Sequence, residues 1–411
     1  MKFYEYIFLA IALAASACGC ARNVSGDLPQ EVTESQFMNI IPEPQGEYSL
    51  VSISPFDGSR ETLSISKPLN RLIVMSTSYI GFLDAIGADS VIVGVSGGEY
   101  VCDSPVTAGL DNGTVVDIGY DASPDYEKIM ALKPDLLLTY SVSPVKSQFL
   151  SKLESLGIKT FIVNEHLERH PLARAAYIRL FGALTGNMAA ADSVLKVVSE
   201  NYISLRDSVQ GISNANNTSD LGHNNPNAKN TEQSSENVVP GTTKKTRKIL
   251  VNIPYKDQWF IPGQESYLTT LFKDAGGTIL GAKAGSSISG QISVETAYSL
   301  SKEADLWMNV GWCQTQEQLL SVNPLFEDFL MNIQRNASAR GYSDTHECAT
   351  TTNTSATSSS VVWNDNNRLN PKGGNDFWES GVVHPDLLLR DLVGIFRGED
   401  NRAPIYYKSI K

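Results

Sequence analysis

The sequence predicts an α/β protein, with two α/β lobes built on mainly parallel sheets and joined by a single long spine helix. Three observations carry this. Short apolar runs of four or five residues alternate with capped helical segments, first from Arg71 and again from Ile249. Buried strands of that kind belong to parallel sheets covered on both faces. Between the two sets, Ala191, Leu195, Val198, Tyr202 and Leu205 fall on one face at spacings of three and four, the pattern of an amphipathic helix. Finally, 411 residues exceed what one compact core ordinarily holds, so two lobes are the natural division.

At the start, Lys2, an apolar run over residues 7–15 and the small Ser16 and Ala17 make a secretory signal peptide over 1–17, too short to cross a bilayer as a mature helix. The stretch Ala15-Ser16-Ala17-Cys18 resembles a bacterial lipobox, in which the cysteine is acylated. Cys18 is therefore the candidate lipid site, with Cys20 as a second candidate and a plain signal peptide as the other reading. The protein is expected to be exported, periplasmic and lipid-anchored to the membrane. Residues 18–66 are expected to be a tether followed by a hairpin, because two alternating runs flank Asp57-Gly58.

The first lobe is expected over 67–185, with strands at 72–75, 91–95, 115–118, 136–140 and 159–163, and helices at 80–86, 126–132 and 145–156. Pro171 opens a further helix at a position where its missing N–H costs nothing. Gly186-Asn187 ends it, and the spine helix occupies 186–211. From Met188 to Gln210 it would reach roughly 30 Å at 1.5 Å per residue, enough to cross between lobes. Residues 212–247 hold 17 Asn, Ser and Thr among 36 positions and no Phe, Trp or Tyr. Such a segment cannot bury enough surface to offset ordering entropy, which predicts a disordered insertion. The second lobe follows over 248–411, with a low-complexity loop near 335–360.

Composition excludes some functions. Lys plus Arg number 33 against 45 Asp plus Glu, a net charge of −12, the wrong sign for nucleic-acid binding. The five cysteines show no C-x-x-C spacing, so a thiolate metal site is not expected. Export permits a disulfide, for which Cys313 and Cys348 are the best-placed pair. No G-x-S-x-G elbow and no H-E-x-x-H occurs, and although Asp376 and Glu379 could form an acid–base couple, nothing spaces them against a nucleophile. The chain is not expected to be an enzyme.

Two stretches share one layout. Ser123-Pro124-Asp125-Tyr126-Glu127 leads through a short helix to Lys133-Pro134-Asp135-Leu136. Ile292-Ser293-Val294-Glu295 leads to Ala304-Asp305-Leu306-Trp307. With Arg71-Leu72-Ile73-Val74, Leu83-Asp84-Ala85-Ile86-Gly87, His170-Pro171-Leu172, Gly373-Gly374-Asn375-Asp376-Phe377-Trp378-Glu379 and Pro385-Asp386-Leu387, they are arranged as in a known family. The chain resembles the periplasmic substrate-binding proteins of ABC importers for iron-siderophore, haem and vitamin B12, in lipoprotein form.

The resemblance runs from about Lys67 to the end, insertions apart. It implies a substrate-binding component that captures an iron-siderophore, haem or corrinoid chelate between its lobes and delivers it to a permease dimer in the inner membrane. It needs no cofactor of its own and is expected to be a monomer. The resemblance also implies that Glu127 and Glu295 stand on the tops of the lobes as permease-docking points, each meeting an arginine; carboxylates set apart in this way steer encounter by charge. A first-turn glutamate favouring its helix dipole is the plainer reading of either one.

A cleft for a flat or bulky chelate wants aromatic walls, and ligands in such sheets bind at strand ends. Tyr79, Tyr100, Trp259, Trp312 and Trp378 lie where loops leave strands and are the ligand-binding candidates, though any one of them can serve as core; Trp307, inside a strand, is read as core. His166 and His170 would share a helix face and could hold a metal, but a residue before proline avoids helical geometry, so no metal site is assigned. The alternatives are a zinc- or manganese-binding lipoprotein of similar architecture and a secreted α/β enzyme.

Overall fold

The computed structural model describes residues 33–120, 122–211, 246–256, 258–340, 360–399 and 403–411. The expected signal peptide, Cys18 and Cys20, most of the 212–247 segment, most of the low-complexity loop and Cys348 lie outside the described residues. Among the described residues, no helix is long and apolar enough to cross a membrane.

Among the described residues the first sheet is antiparallel, with β1 (Met38–Pro42), β2 (Tyr48–Ile53) and β3 (Arg60–Ile65) in that order. The expected hairpin is β2–β3, in register from Tyr48 opposite Ile65 to Ile53 opposite Arg60. β1 corrects the reading of residues before 48 as tether. Met38 is buried and pairs with Ser52, and the stretch just before it is tied down where the Gln36 N–H donates to Glu168 Oε1 at 3.0 Å. A five-residue strand running into Pro42 and Pro44 has little periodicity of its own; its partner strand defines it.

The first lobe contains β4 (Leu72–Val74), α1 (Thr77–Ala85), β5 (Ile92–Val95), α2 (Ser104–Asn112), β6 (Val116–Asp117), α3 (Tyr126–Leu132), β7 (Leu136–Thr139), α4 (Gln148–Ser155) and β8 (Thr160–Ile162). Its strands are all parallel in the order β8-β7-β4-β5-β6. Both faces are covered. Leu72, Val74, Leu136 and Leu138 enter one apolar cluster, whereas Ile73, Leu137 and Val93 enter another, the alternation that the pleat imposes.

After α5 (Pro171–Ala175) and α6 (Ile178–Thr185), Gly186 takes a left-handed φ of 77° and closes α6. The spine helix α7 spans Met188–Gln210, as the spacing predicts. Ala191 and Leu195 join the first lobe's core, and Val198 and Tyr202 join the second's. One apolar stripe thus serves two cores.

The second lobe comprises β9 (Arg247–Val251), β10 (Trp259–Ile261), α8 (Tyr267–Asp274), β11 (Gly277–Ile279), β12 (Gly290–Ile292), α9 (Val294–Ser301), β13 (Leu306–Met308), α10 (Gln316–Val322), α11 (Phe326–Ala339), β14 (Val362–Asn364), α12 (Pro385–Arg397) and β15 (Lys408–Ser409). Strand β9 begins at Arg247, the last residue of the expected insertion, and α11 continues past the start of the expected loop at 335. The sheet order is β11-β9-β13-β14-β15, parallel but for the antiparallel edge β15.

The two lobes repeat one device. Asp135 Oδ2 accepts the Arg71 N–H at 3.0 Å, and Asp305 Oδ2 accepts the Lys248 N–H at 2.8 Å. In each lobe, an Asp before an inner strand ties down the beginning of that lobe's first strand.

Candidate functional site at the lobe junction

Open α/β sheets present their ligand crevice at the carboxyl ends of the strands, where the strand order reverses. In the first lobe the reversal falls between β4 and β7, and in the second between β9 and β13. The residues after β9 and β13 are Asn252 and Asn309, with left-handed φ of 67° and 57°. Non-glycine residues held this way cluster at functional sites. Asn252 is tied down through its Nδ2 to Phe260 O at 2.8 Å, while the buried Asn309 has no hydrogen-bond partner for its Oδ1.

The loops beyond β14 and β5 meet across the junction. Asn370, beyond β14, donates its Nδ2 to both Glu99 O and Val101 O at 2.8 Å, in the loop beyond β5. A Cβ on Gly374 would come within 2.1 Å of Tyr100 O, so only glycine lets these two backbones touch. The chain then crosses into the first lobe: Phe377 belongs to the second core, but Val382 and Val383 belong to the first. On this strap Glu379 is buried and accepts the Cys102 N–H at 2.9 Å. Gly81 in α1 lies against it, where a Cβ would meet Glu379 O at 2.3 Å.

Burial pushes the Glu379 carboxyl up to about 8, against the opposing N–H groups of Cys102 and Asp103. Its folded value therefore lies above its ordinary one. The stability linked to it is full below about 4.5 and is lost as pH rises through about 8. Denaturant unfolding measured from pH 5 to pH 9 should show this loss in the wild type and a flatter profile in Glu379→Gln; identical slopes would dissociate the strap from that titration.

On the other side of the junction, Ser78 donates to Glu165 Oε1 at 2.6 Å, and Arg174 Nε lies 2.6 Å from Glu165 Oε2. All three side chains are buried. The Arg174 guanidinium sits 5.0 Å from the ring centre of Tyr267, which opens α8 of the second lobe. Asp365, directly after β14, is also buried, and burial pushes its carboxyl up to about 7.

The aromatic candidates divide. Tyr79 is a correction: it is wholly buried, and its hydroxyl donates to Thr139 O at 3.1 Å and Val163 O at 3.0 Å. It satisfies strand-end carbonyls from inside the core. Trp259 is another correction, since it lies in β10 and stacks on Trp307 and Phe329 at 5.9 and 5.7 Å. Its Nε1 donates to Val251 O at 2.9 Å. Trp307 is core, as read. Tyr100, Trp312 and Trp378 stand 45%, 60% and 43% exposed in the loops that leave β5 and β13 and in the strap.

His170 is the N-cap of α5, its Nδ1 accepting the Leu172 N–H at 3.1 Å. His166 stands edge-on to Tyr140 with ring centres 5.9 Å apart, so the two histidines do not share a helix. Among the described residues, no group of three His, Cys, Asp or Glu is placed to hold a metal ion. Cys313 and Cys102 are free thiols.

Glu127 and Glu295 occupy matched positions. Each lies in the first turn of its helix, α3 or α9, behind an N-cap that accepts a backbone N–H: Asp125 from Lys128 at 3.0 Å, Ser293 from Thr296 at 3.2 Å. Both are exposed. A helix returning between parallel strands begins beside their carboxyl ends, so both glutamates stand at the same ends of the sheets as the junction loops. The Ser293 hydroxyl holds the Glu295 carboxylate below its ordinary range.

Residues 72–219 match the family model described as periplasmic binding protein. An uncharacterized lipoprotein of Methanocaldococcus jannaschii is 24% identical over 286 residues, covering 64% of this chain and 58% of that one. The chain thus spans less than two thirds of that relative's length. A solved periplasmic binding protein from Veillonella parvula superimposes with a TM-score of 0.55 at 15% identity, over 85% of this chain and 98% of that one. A periplasmic haem-binding protein from Pseudomonas aeruginosa does so with 0.52 at 14% identity, over 84% and 98%. At such identities the structures speak for the fold, and they are binding proteins rather than enzymes. Residues 72–219 are thus similar to the periplasmic binding proteins in sequence, and over most of its length the chain shares the fold of the solved ones.

Proposed function

We propose that this chain is the exported, lipid-anchored substrate-binding component of an ABC importer, acylated at Cys18. It captures an iron-siderophore, haem or corrinoid chelate between its lobes and passes it to a membrane permease. The observation that carries this reading is the meeting of loops from both lobes, with Tyr100 exposed on one of them, Trp378 exposed on the strap that follows and Trp312 exposed beyond the end of β13. Large amphipathic rings left in solvent beside a crevice suit a flat, partly apolar ligand.

The test starts from the purified protein. Its absorption spectrum, metal content and co-purifying mass identify the class: a Soret band for haem, a corrinoid spectrum, or a broad charge-transfer band for an iron chelate. Titration should then show that Trp312→Ala and Trp378→Ala each weaken binding by about 1–3 kcal/mol, the usual scale for aromatic anchors. Unchanged affinity in both variants would remove the aromatic walls from the reading, and failure of all three chelate classes to bind would remove the reading itself.

A further inference from the structure

We propose that Asn112 is a modification site, where the exported protein receives an N-linked glycan from a polyprenyl-phosphate-linked oligosaccharide. Asn112-Gly113-Thr114 places a hydroxyl two residues after an asparagine, with no proline between. In an exported chain such a triplet is a glycan acceptor when it lies at the surface. Asn336-Ala337-Ser338 has the same form, and Asn23, Asn216, Asn217 and Asn353 begin further triplets outside the described residues. The triplet alone is a weak signal, and the fold separates Asn112 from Asn336.

Asn112 is the last residue of α2, and Gly113 stops the helix with a left-handed φ of 81°. Residues 111–114 are all exposed. Asn112 Oδ1 accepts the Thr114 N–H at 2.9 Å, which steadies the carboxamide and leaves Nδ2, the atom to be modified, unbonded among the described residues. A Cβ on Gly113 would meet nothing within 4 Å, so the turn is open to an enzyme and to a bulky sugar. Asn336 is the opposite case. It lies inside α11, where its Nδ2 donates to Ala304 O at 2.9 Å and to Ser301 O at 3.3 Å. Ala337 beside it is buried. A sugar on that nitrogen would force α11 away from those carbonyls.

The position suits the rest of the molecule. Helix α2 returns from β5 to β6, two parallel neighbours, so it starts beside their carboxyl ends and finishes at their amino ends. Asn112 therefore stands at the far end of the first lobe from Tyr100 and Glu127. A glycan there leaves the crevice and the docking glutamates uncovered. In the transfer, Asn112 Nδ2 attacks the anomeric carbon of the donor sugar. A C–N bond forms, the C–O bond to phosphate breaks, one amide proton is lost and the polyprenyl phosphate or pyrophosphate departs. Nothing is oxidised or reduced.

The proposal rests on export of the chain, and its test keeps the two apart. The full chain would be recovered from cell fractions of its native host, and its peptides sequenced by mass spectrometry. The peptide containing residue 112 should carry a glycan mass with sugar fragment ions, and the peptide containing Asn336 should be bare. Asn112→Gln and Thr114→Ala should each abolish the modification, whereas Thr114→Ser, which keeps the hydroxyl, should retain it. Circular dichroism would confirm that the variants fold. Exported protein with a bare Asn112, or a glycan that survives Thr114→Ala, would overturn the site while leaving export intact. Protein confined to the cytosol would overturn the site together with the export on which it rests.

Discussion

Replacing Arg174 by Met should destabilise the protein by about 3–5 kcal/mol, the scale on which a buried ion pair fails when one partner is removed. Arg174 and Glu165 are 5% and 2% exposed, and their charged atoms lie 2.6 Å apart. Methionine keeps much of the apolar stem but leaves Glu165 as a buried carboxylate that still accepts from the Ser78 hydroxyl and has lost its counter-charge. A buried charge without its partner is what makes such a truncation costly. The double variant Arg174→Met/Glu165→Gln should recover most of the loss, since an uncharged pair carries no such penalty. Urea unfolding of the wild type and both variants at neutral pH distinguishes these outcomes. A double variant no better than the single would mean that packing against Tyr267 matters more than the charges.

Charge reversal at Glu127 and Glu295 should abolish ligand delivery while leaving ligand binding untouched. The two glutamates are exposed, sit at equivalent points of the two lobes and stand behind equivalent N-caps. A docking role requires an acidic group on each lobe, and a helix-dipole role is local to each helix. Transport into vesicles carrying the cognate permease should fall modestly in each single Ala variant and further in Glu127→Ala/Glu295→Ala. It should fall furthest in Glu127→Lys/Glu295→Lys, where like charges face the permease arginines that the family reading expects. Added salt should weaken the wild-type interaction, because exposed charges are screened. Lost ligand affinity in the Ala variants would move these residues into the pocket, and normal transport by the double Lys variant would end the docking hypothesis.

Much of the architecture was legible because helical and strand periods are local signals, repeated along each element. The spine helix was readable at both ends, since Gly186-Asn187 breaks the preceding helix and the apolar stripe runs unbroken from Ala191 to Leu205. Helices α3 and α9 were readable from their caps and the strands that follow them. What escaped were elements too short to show a period. Strand β10, with Trp259, has three residues, and its partner β12 lies some thirty residues on. Helix α2 is capped by Asp103 and carries Pro105 in its first turn, a start signal without the apolar run that would have made it convincing.

The sequence by itself determined that two α/β lobes hang on one long helix, because burial of a stripe at spacings of three and four is a property of neighbouring residues. It also placed Glu127 and Glu295 in corresponding local contexts. Which aromatic rings face a ligand was decided only by tertiary structure. Tyr79 and Trp259 stand beside strand ends just as Tyr100 and Trp312 do, and local sequence does not distinguish them. Tyr79 is buried because the carbonyls of Thr139 and Val163, 60 and 84 residues away, come within reach of its hydroxyl. Trp259 is buried because Trp307 and Phe329 arrive from distant helices and strands to stack on it. The same holds for Glu165, which the Ser78 hydroxyl reaches from 87 residues away, and for Glu379, whose partner Cys102 meets it only once the chain has crossed between the lobes. Burial of a polar or aromatic group is set by what folds over it, and those neighbours are remote in the chain.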